Sequence, residues 1–246
     1  MNDFAKEVTD RIAANGSDSE LTASAQAFTR ASIKRQYSYN FSWLGRPIIQ
    51  YPQDMIAMQE LIWSIQPDLI IETGIAHGGS LIMSASLLEL NAVCGGNPDA
   101  SVLGIDIDIR SHNRAAIDAH PMSRRIRMIQ GSSIAPEVIA QVHAEAAGKP
   151  RVLVCLDSNH THEHVLAELQ AYAQLATLGS YCVVFDTIVE DVPATMYPDR
   201  PWGPGNNPKS AVFEYLKTHD EFMIDKGIDL QLMISMAPDG YLKRVR

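Results

Sequence analysis

The chain has 246 residues, of which 46% are apolar and 20% are charged, as in an ordinary globular protein. Its formal net charge of −9 argues against a protein that binds nucleic acid without sequence preference, because such a protein needs a basic face. No polybasic segment favours an anionic membrane surface either. A small-molecule partner is therefore the better expectation.

The cysteines and the N-terminus indicate the compartment. Cys94, Cys155 and Cys182 are scattered without C-x-x-C spacing, which favours a reducing compartment and no disulfide framework. The N-terminal sequence MNDFAKEVTDRIA is polar and helical, so no signal peptide is expected. No apolar run approaches the ~18 residues that a membrane-spanning helix needs. We expect a soluble, cytoplasmic protein.

Two stretches precede the first predicted strand. Residues 1–36 predict two helices with a break at Asn15–Gly16, which would form a helical extension before a main domain at residues 37–246. Their modest apolar content favours packing on the domain surface or on another subunit. Tyr37–Gln50 is rich in aromatic residues and has no clear period. It is either a packed segment or a lid over a pocket, and its aromatic loop residues favour the lid. Pro52 then begins a predicted core helix.

The main domain alternates short apolar runs with helical patterns. The predicted strands are Leu69–Ile71, Ser101–Ile107, Ile126–Gln130, Arg151–Leu156 and Tyr181–Phe185. Apolar strands separated by helices predict an α/β fold with a mostly parallel sheet covered on both faces. Leu230–Met236 and Tyr241–Val245 predict a C-terminal antiparallel hairpin at one edge. Thr187–Lys209, with Trp202 near its centre, is a loop of a length that is usually functional or mobile.

The stretch Asp68–Ser80, DLIIETGIAHGGS, is the first candidate site. A strand that runs through glycines into a helix lets backbone N–H groups approach a ligand closely. The spacing matches neither the dinucleotide fingerprint G-x-G-x-x-G nor the phosphate loop. Glu72, directly before the glycines, suits a ligand with a positive end such as an amino group. Glycine turns of this kind also occur for packing alone, so both interpretations stay open.

Acidic residues end four of the five strands. They are Glu72, Asp106, Asp108, Asp157 and Asp186, and ligands of such sheets bind at the carboxyl ends of strands. Asp106 lies where a carboxylate holds ribose hydroxyls in nucleotide-binding units, or else it caps the helix over residues 109–118. Asp157 and Asp186 would face one small volume if their strands are neighbours ~4.8 Å apart. Two such charges need a cation or a shared proton, and their oxygens favour Mg²⁺, although either residue could instead cap the following helix.

The segment DSNHTHEH contains three histidines, His160, His162 and His164. Imidazole suits zinc and iron, so a metal cluster of histidines has to be considered. If the helix has already begun, His160 and His164 share one face and His162 points elsewhere. His160 lies three residues after Asp157, still in the loop at the end of the strand. It is the candidate to take a proton from a hydroxyl held on a metal.

Several separated segments resemble the cephalosporin hydroxylase/rhamnosyl O-methyltransferase family over residues 37–246. They are SWLGRPIIQYPQDM, ETGIAHGGS, LDSNHTHEHV, VVFDT and PDRPWGPGNNP. The resemblance implies a Rossmann-like class I methyltransferase fold that binds S-adenosylmethionine. The residues it implies for the amino-acid end of the cofactor are Glu72, Gly74, Ala76, His77, Gly78 and Ser80. It implies Asp106 for the ribose and a position near the adenine for Gly131, Ser132 and Ser133, and Asp157 is the remaining expected cofactor contact.

The resemblance also implies Mg²⁺ on Asp157, with His160 as the general base. One position departs from it, because relatives have Glu-Asp after the fifth strand where this chain has Phe185-Asp186. Asp157 and Asp186 then remain as metal ligands, with Glu190 or Asp191 as further oxygen donors, and weaker metal binding is expected.

The main hypothesis is a methyltransferase that uses S-adenosylmethionine and acts on a hydroxyl of a sugar or glycosylated small metabolite. An NAD-type oxidoreductase is an alternative that the glycine spacing disfavours. A non-catalytic relative that only binds cofactor or partner is the other alternative, and Phe185 favours it. The resemblance and the N-terminal helices further predict a homo-oligomer.

Overall fold

The computed structural model describes residues 3–246 and contains two sheets. The strands β1 (Phe41–Trp43) and β2 (Arg46–Ile48) pair as an antiparallel ribbon. The main sheet consists of β3 (Leu69–Thr73), β4 (Ser101–Asp106), β5 (Ile126–Gln130), β6 (Val152–Leu156), β7 (Tyr181–Val184), β8 (Phe222–Ile224) and β9 (Tyr241–Arg244). Their order across the sheet is β5-β4-β3-β6-β7-β9-β8.

The strand order places a switch point at the centre of the sheet. From β3 the chain continues outward through β4 and β5, and then it returns to the other side of β3 with β6 and β7. These five strands are parallel, as predicted. Loops after β3 and β6 leave in opposite directions, which opens a crevice at their carboxyl ends. The five predicted strands are thus confirmed, with ends that differ by at most two residues.

Nine α-helices lie within residues 3–246, and helices flank both faces of this sheet. They are α1 (Asp3–Asn15), α2 (Ser19–Lys34), α3 (Pro52–Ile65), α4 (Gly79–Val93), α5 (Ser111–Asp118), α6 (Pro136–Ala146), α7 (His162–Tyr172), α8 (Pro208–Tyr215) and α9 (Lys226–Leu232). Successive strand residues point to opposite faces, so Ile70 packs into the cluster under α3 and α4 while Ile71 packs under α6 and α7. Both faces are apolar, which explains the uninterrupted apolar runs of the strands.

The predicted C-terminal hairpin is correct in direction but wrong in its first strand. β9 does pair antiparallel with a neighbour, but the neighbour is Phe222–Ile224. Leu230–Met236 was predicted as a strand from its alternating apolar residues, whereas its first part lies in α9. The Asp225 side chain accepts a hydrogen bond from the Gly227 N–H and starts that helix. The apolar side chains of α9 pack on the core and on α1, so tertiary packing overrides the period-two pattern.

The N-terminal helices contact the domain. Their break at Asn15–Gly16 is confirmed, and the Asn15 side chain donates a hydrogen bond to the Leu230 carbonyl at 2.8 Å. The Ser32 hydroxyl lies 2.8 Å from the Tyr51 hydroxyl at the start of α3. Met1 and Asn2 of the predicted extension lie outside the described residues, and its separation from residues 37–246 remains a prediction. Within residues 3–246 no helix is both long and apolar enough to cross a membrane.

Candidate functional site

A cavity of about 770 Å³ opens at the carboxyl edge of β3, β4, β6 and β7. Strand ends contribute Gly74, Asp106, Asp157 and Asp186 to its wall. The segment before α3 and the long loop after β7 form the opposite wall, which includes Tyr39 and Trp202. The topology therefore brings most of the candidate residues into one space.

The glycines after β3 are required by close packing. Gly74 has a φ of +88°, and a Cβ atom there would lie 2.1 Å from the Asp157 carbonyl oxygen. A Cβ at Gly78 would lie 2.4 Å from Ile117, and one at Gly79 would lie 2.2 Å from the Pro47 carbonyl oxygen. The packing interpretation of these glycines therefore holds. It also places the loop after β3 directly against the loop after β6.

The carbonyls of the glycine loop are held from two other elements. The Arg46 Nε donates to the His77 carbonyl at 3.0 Å, and the Asn113 side chain donates to the Ala76 carbonyl at 2.9 Å. Arg46 also donates to the Asn113 side-chain oxygen at 3.1 Å. The sequence assigned no role to either residue, because each lies more than 30 positions from its partner in the glycine loop.

Asp106 organises the same loop. Its Oδ2 accepts hydrogen bonds from the backbone N–H groups of Ile75 at 2.8 Å and Ala76 at 3.2 Å. Its Oδ1 accepts from the Asp108 N–H at 3.0 Å. The interpretation of Asp106 as a helix cap is wrong, because Arg110 precedes α5 and Asp106 bonds the glycine loop instead. About one of its four acceptor positions remains for a ligand in the cavity.

Glu72 lies beneath the glycine loop with 5% of its surface exposed. Burial raises the pKa of its carboxyl to about 7, although a hydrogen bond donated by Ser80 opposes the shift. A nearby positive ligand group would favour the charged carboxylate and lower this pKa again.

Asp157, His160 and Asp186 form a compact cluster of ligand atoms at the ends of β6 and β7. One side-chain atom from each lies within 4.8 Å of the others, and the His160 Nε2 lies 3.1 Å from the Asp186 Oδ2. The adjacency of β6 and β7 therefore brings the two aspartates together, as the strand ends predicted. Within residues 3–246 this is the one group of three or more such residues that could hold a metal ion.

The electrostatics of this cluster favour a cation. Burial raises the pKa of the Asp157 carboxyl well above its usual range, and the charges of Asp186 and Glu72 raise it further. Two carboxylates and one imidazole, all partly exposed to the cavity, fit a divalent cation that completes its shell with water or substrate. A cation here would relieve the repulsion between the aspartates.

The long loop after β7 covers the cluster. Asp186 has a φ of +55°, so the chain turns sharply as the strand ends. The Trp202 ring meets the His160 ring edge-on, with centroids 4.8 Å apart. The Arg200 guanidinium lies over the indole ring of Trp202, 5.1 Å from its centroid.

Glu190 and Asp191 do not join the cluster. The Glu190 carboxylate accepts hydrogen bonds from the Gly205 N–H at 2.8 Å and from the Asn207 side chain. Asp191 pairs with the buried Lys209 ammonium. The expectation that either residue adds an oxygen to the metal is wrong, because both carboxylates close the base of the loop.

Gly131, Ser132 and Ser133 follow β5 and lie outside the wall of the cavity. The Gly131 N–H donates to the Asp106 carbonyl at 2.9 Å, and the Ser133 hydroxyl lies 3.0 Å from the His164 Nε2. The helix α7 begins at His162, so His160 lies before it and the expected shared helix face of His160 and His164 does not form. The His162 Nδ1 lies 2.8 Å from the Ser210 hydroxyl. The three histidines therefore contact three different parts of the fold.

The comparison with known families now decides the class of the chain. A family model described as Rhamnosyl O-methyltransferase/CmcI matches residues 35–245. The chain belongs to this family. A rhamnosyl O-methyltransferase of Mycobacterium bovis (strain BCG / Pasteur 1173P2) is 32% identical over 199 residues, which cover 78% of this chain and 73% of the relative. A rhamnosyl O-methyltransferase of Mycobacterium leprae (strain TN) is 32% identical over 149 residues, or 59% of this chain and 60% of the relative.

Solved structures share the fold. A structure described as cmcI-D160 Mg-SAM has a TM-score of 0.58 at 19% identity and covers 85% of this chain and 78% of its own. CalS11, a TDP-rhamnose 3′-O-methyltransferase of calicheamicin biosynthesis, has a TM-score of 0.55 at 18% identity and covers 99% of this chain and 95% of its own. The O-methyltransferase from Bacillus cereus in complex with SAH has a TM-score of 0.53 at 12% identity and covers 93% of this chain and 92% of its own. The predicted family and the Rossmann-like class I methyltransferase fold are both confirmed.

Within this rhamnosyl O-methyltransferase/CmcI family member, Phe185 occupies the position where the resemblance implied an acidic residue. Its side chain is 4% exposed and belongs to the core cluster with Val183 and Tyr241. A carboxylate at this position would bury a charge in an apolar environment. His160, rather than a carboxylate at this position, is the third polar member of the cluster.

Proposed function

We propose that this family member transfers a methyl group from S-adenosylmethionine to a hydroxyl of a sugar or a glycosylated small metabolite. The observation that carries the proposal is the Asp157–His160–Asp186 cluster, which shares one cavity with the glycine loop. The names of the rhamnosyl O-methyltransferase relatives support a sugar as the acceptor.

The cofactor would lie along the carboxyl ends of β3 and β4. Glu72, with the loop residues Gly74, Ala76, His77, Gly78 and Ser80, is proposed to hold its amino-acid end. Asp106, which keeps one acceptor position towards the cavity, is proposed for the ribose. The turn of Gly131, Ser132 and Ser133 is proposed to lie on the adenine side, although its Ser133 hydroxyl is already engaged by His164.

The acceptor would lie at the cluster beneath Trp202. Asp157 and Asp186 are proposed to hold Mg²⁺, which when bound would polarise and acidify the acceptor hydroxyl, while bound S-adenosylmethionine supplies the methyl group. His160, oriented by Asp186 and Trp202, takes the hydroxyl proton as the O–CH₃ bond forms and the S–CH₃ bond breaks. The walls of the cavity hold the two reactants in line for that transfer.

The test is a methyl-transfer assay with isotope-labelled S-adenosylmethionine. Free rhamnose, a nucleotide-linked rhamnose and an aryl rhamnoside serve as acceptors, and both S-adenosylhomocysteine and the methylated product are measured. Turnover that EDTA removes and Mg²⁺ restores is the expected result, whereas turnover indifferent to EDTA would contradict the metal. Cofactor binding without transfer to any acceptor would support the non-catalytic alternative that Phe185 favours.

The homo-oligomer and the cytoplasmic location remain predictions, and light scattering tests the first of them.

Glu72 makes cofactor binding dependent on pH. Its pKa of about 7 leaves it mostly protonated at pH 6 and mostly ionised at pH 8. Because the ammonium group of the ligand favours the carboxylate, S-adenosylhomocysteine should bind about tenfold more tightly at pH 8 than at pH 6. Binding at pH 6 should release close to one proton. Calorimetry in two buffers of different ionisation enthalpy measures this release, and Glu72→Gln should abolish both effects. A pH-independent affinity in the wild-type protein would exclude Glu72 as the group that binds the amine.

A further inference from the structure

His164 is the third histidine of the DSNHTHEH segment, and the proposed chemistry does not use it. Its Nε2 lies 3.0 Å from the Ser133 hydroxyl and 3.2 Å from the Ser158 hydroxyl. Ser133 belongs to the loop after β5 and Ser158 to the loop after β6, and these strands are separated by β4 and β3 in the sheet. Because one imidazole nitrogen carries either one proton or one lone pair, the two hydroxyls share a single hydrogen bond at the His164 Nε2. This shared bond bridges two loops that the sheet itself keeps apart.

Glu168 supports this bridge from below. It lies one turn after His164 on α7 and is fully buried. Its Oε1 accepts a hydrogen bond from the Ser158 hydroxyl at 2.6 Å and lies 3.6 Å from the His164 Nε2. Its Oε2 has no hydrogen-bond partner among residues 3–246. A buried carboxylate in this state stays in place only with a nearby hydrogen-bond donor, and the Ser158 hydroxyl supplies it, with the His164 imidazole beside it.

The arrangement is not that of a hydrolase. In a serine–histidine–acid triad, the acid bonds the imidazole nitrogen remote from the serine. Here the Glu168 carboxylate accepts the hydrogen bond of the Ser158 hydroxyl directly, and both of these side chains approach the same imidazole nitrogen, the His164 Nε2. The serine hydroxyl donates its proton to a carboxylate and is fixed in orientation, so the group positions a loop.

The loop it positions carries the reactive residues. Ser158 lines the cavity and follows Asp157 directly, and His160 lies two residues further. The Asp157 carbonyl packs against Gly74, so movement of this loop also disturbs the glycine loop. We propose that His164 is a positioning residue that ties residues 157–160 to residues 131–134 and thereby sets the placement of Asp157 and His160 at the cluster.

The experiment compares His164→Leu, which removes the bridge, with His164→Gln, which keeps a side-chain nitrogen at similar reach. His143→Leu is the matched control, because the His143 imidazole also bonds α7, through the Ala171 carbonyl at 2.8 Å, but this bond involves neither of the two loops. Amide hydrogen exchange of peptides covering residues 131–134 and 157–160 is the first readout. We expect exchange at least ~10-fold faster in both segments of His164→Leu, near wild-type rates in His164→Gln, and no change in His143→Leu.

Ser133→Ala is the second variant, and it should speed exchange in residues 131–134 alone. If His164→Leu folds poorly, Ser133→Ala still tests the contact between His164 and residues 131–134. Unchanged exchange in both segments of His164→Leu, or equal loss in the leucine and glutamine variants, overturns the proposal.

The kinetic readout rests on the proposed function. We expect kcat to fall by ~10–100-fold in His164→Leu, with recovery in His164→Gln, because supporting residues of metal ligands typically have effects of this size. Unchanged kcat in His164→Leu overturns the proposal. The exchange experiment needs no acceptor, so a failure of the methyl-transfer assay is distinguishable from a failure of this inference.

Discussion

Replacing His160 by alanine is expected to lower kcat by ~10²–10⁴-fold and to leave the affinity for S-adenosylhomocysteine within about threefold of wild type. The rate falls because the imidazole beside Asp186 is the proposed acceptor of the hydroxyl proton, and general bases typically contribute this much. The affinity is retained because the residues proposed to hold the cofactor are Glu72 and the glycine loop, and His160 is not among them. Turnover with labelled S-adenosylmethionine and calorimetry of S-adenosylhomocysteine measure the two quantities.

The matched control for His160 is His162→Ala in the same segment. Its side chain bonds Ser210 of α8 and points away from the aspartates, so its kcat should fall by less than about tenfold. Equal losses in the two variants would show that the segment as a whole, rather than the imidazole at His160, matters for turnover. Full activity in His160→Ala would exclude it as the base.

Gly74→Ala is expected to lower the free energy of unfolding by about 2–5 kcal/mol and to remove most turnover. The left-handed conformation costs about 1–2 kcal/mol in any residue with a Cβ atom. The contact at 2.1 Å with the Asp157 carbonyl forces one of the two loops to shift, which adds about 1–3 kcal/mol. Because that shift displaces Asp157, kcat should fall by ~10²-fold. Urea unfolding and the methyl-transfer assay test both effects.

Gly148→Ala separates the two contributions. Gly148 has a φ of +75°, but no atom lies within 4 Å of a Cβ built on it. Alanine at this position therefore adds only the free-energy cost of the left-handed backbone conformation. We expect a loss of about 1–2 kcal/mol and unchanged turnover. Equal destabilisation by the two substitutions would show that the approach of Asp157 to Gly74 is unimportant for stability.

The homo-oligomer, the separate N-terminal extension and the individual roles of the site residues remain predictions. By contrast, the sequence alone predicted the five parallel strands, the family and the acidic strand ends. Strand patterns and turn residues are local signals, and a strand buried on both faces is apolar along its whole length. Once Asp157 and Asp186 end consecutive parallel strands, a short crossover makes those strands neighbours and brings the carboxylates together.

Only the tertiary structure decided what surrounds those carboxylates. The contact of Gly74 with Asp157, the bonds of Arg46 and Asn113 to the glycine loop and the bridge by His164 all join residues far apart in sequence or in the sheet. The first part of the strand predicted at Leu230–Met236 lies in α9 for the same reason, since packing on α1 and the core outweighed the local alternation. Such contacts depend on the path of every loop between the partners, and no period or motif in one short segment specifies that path.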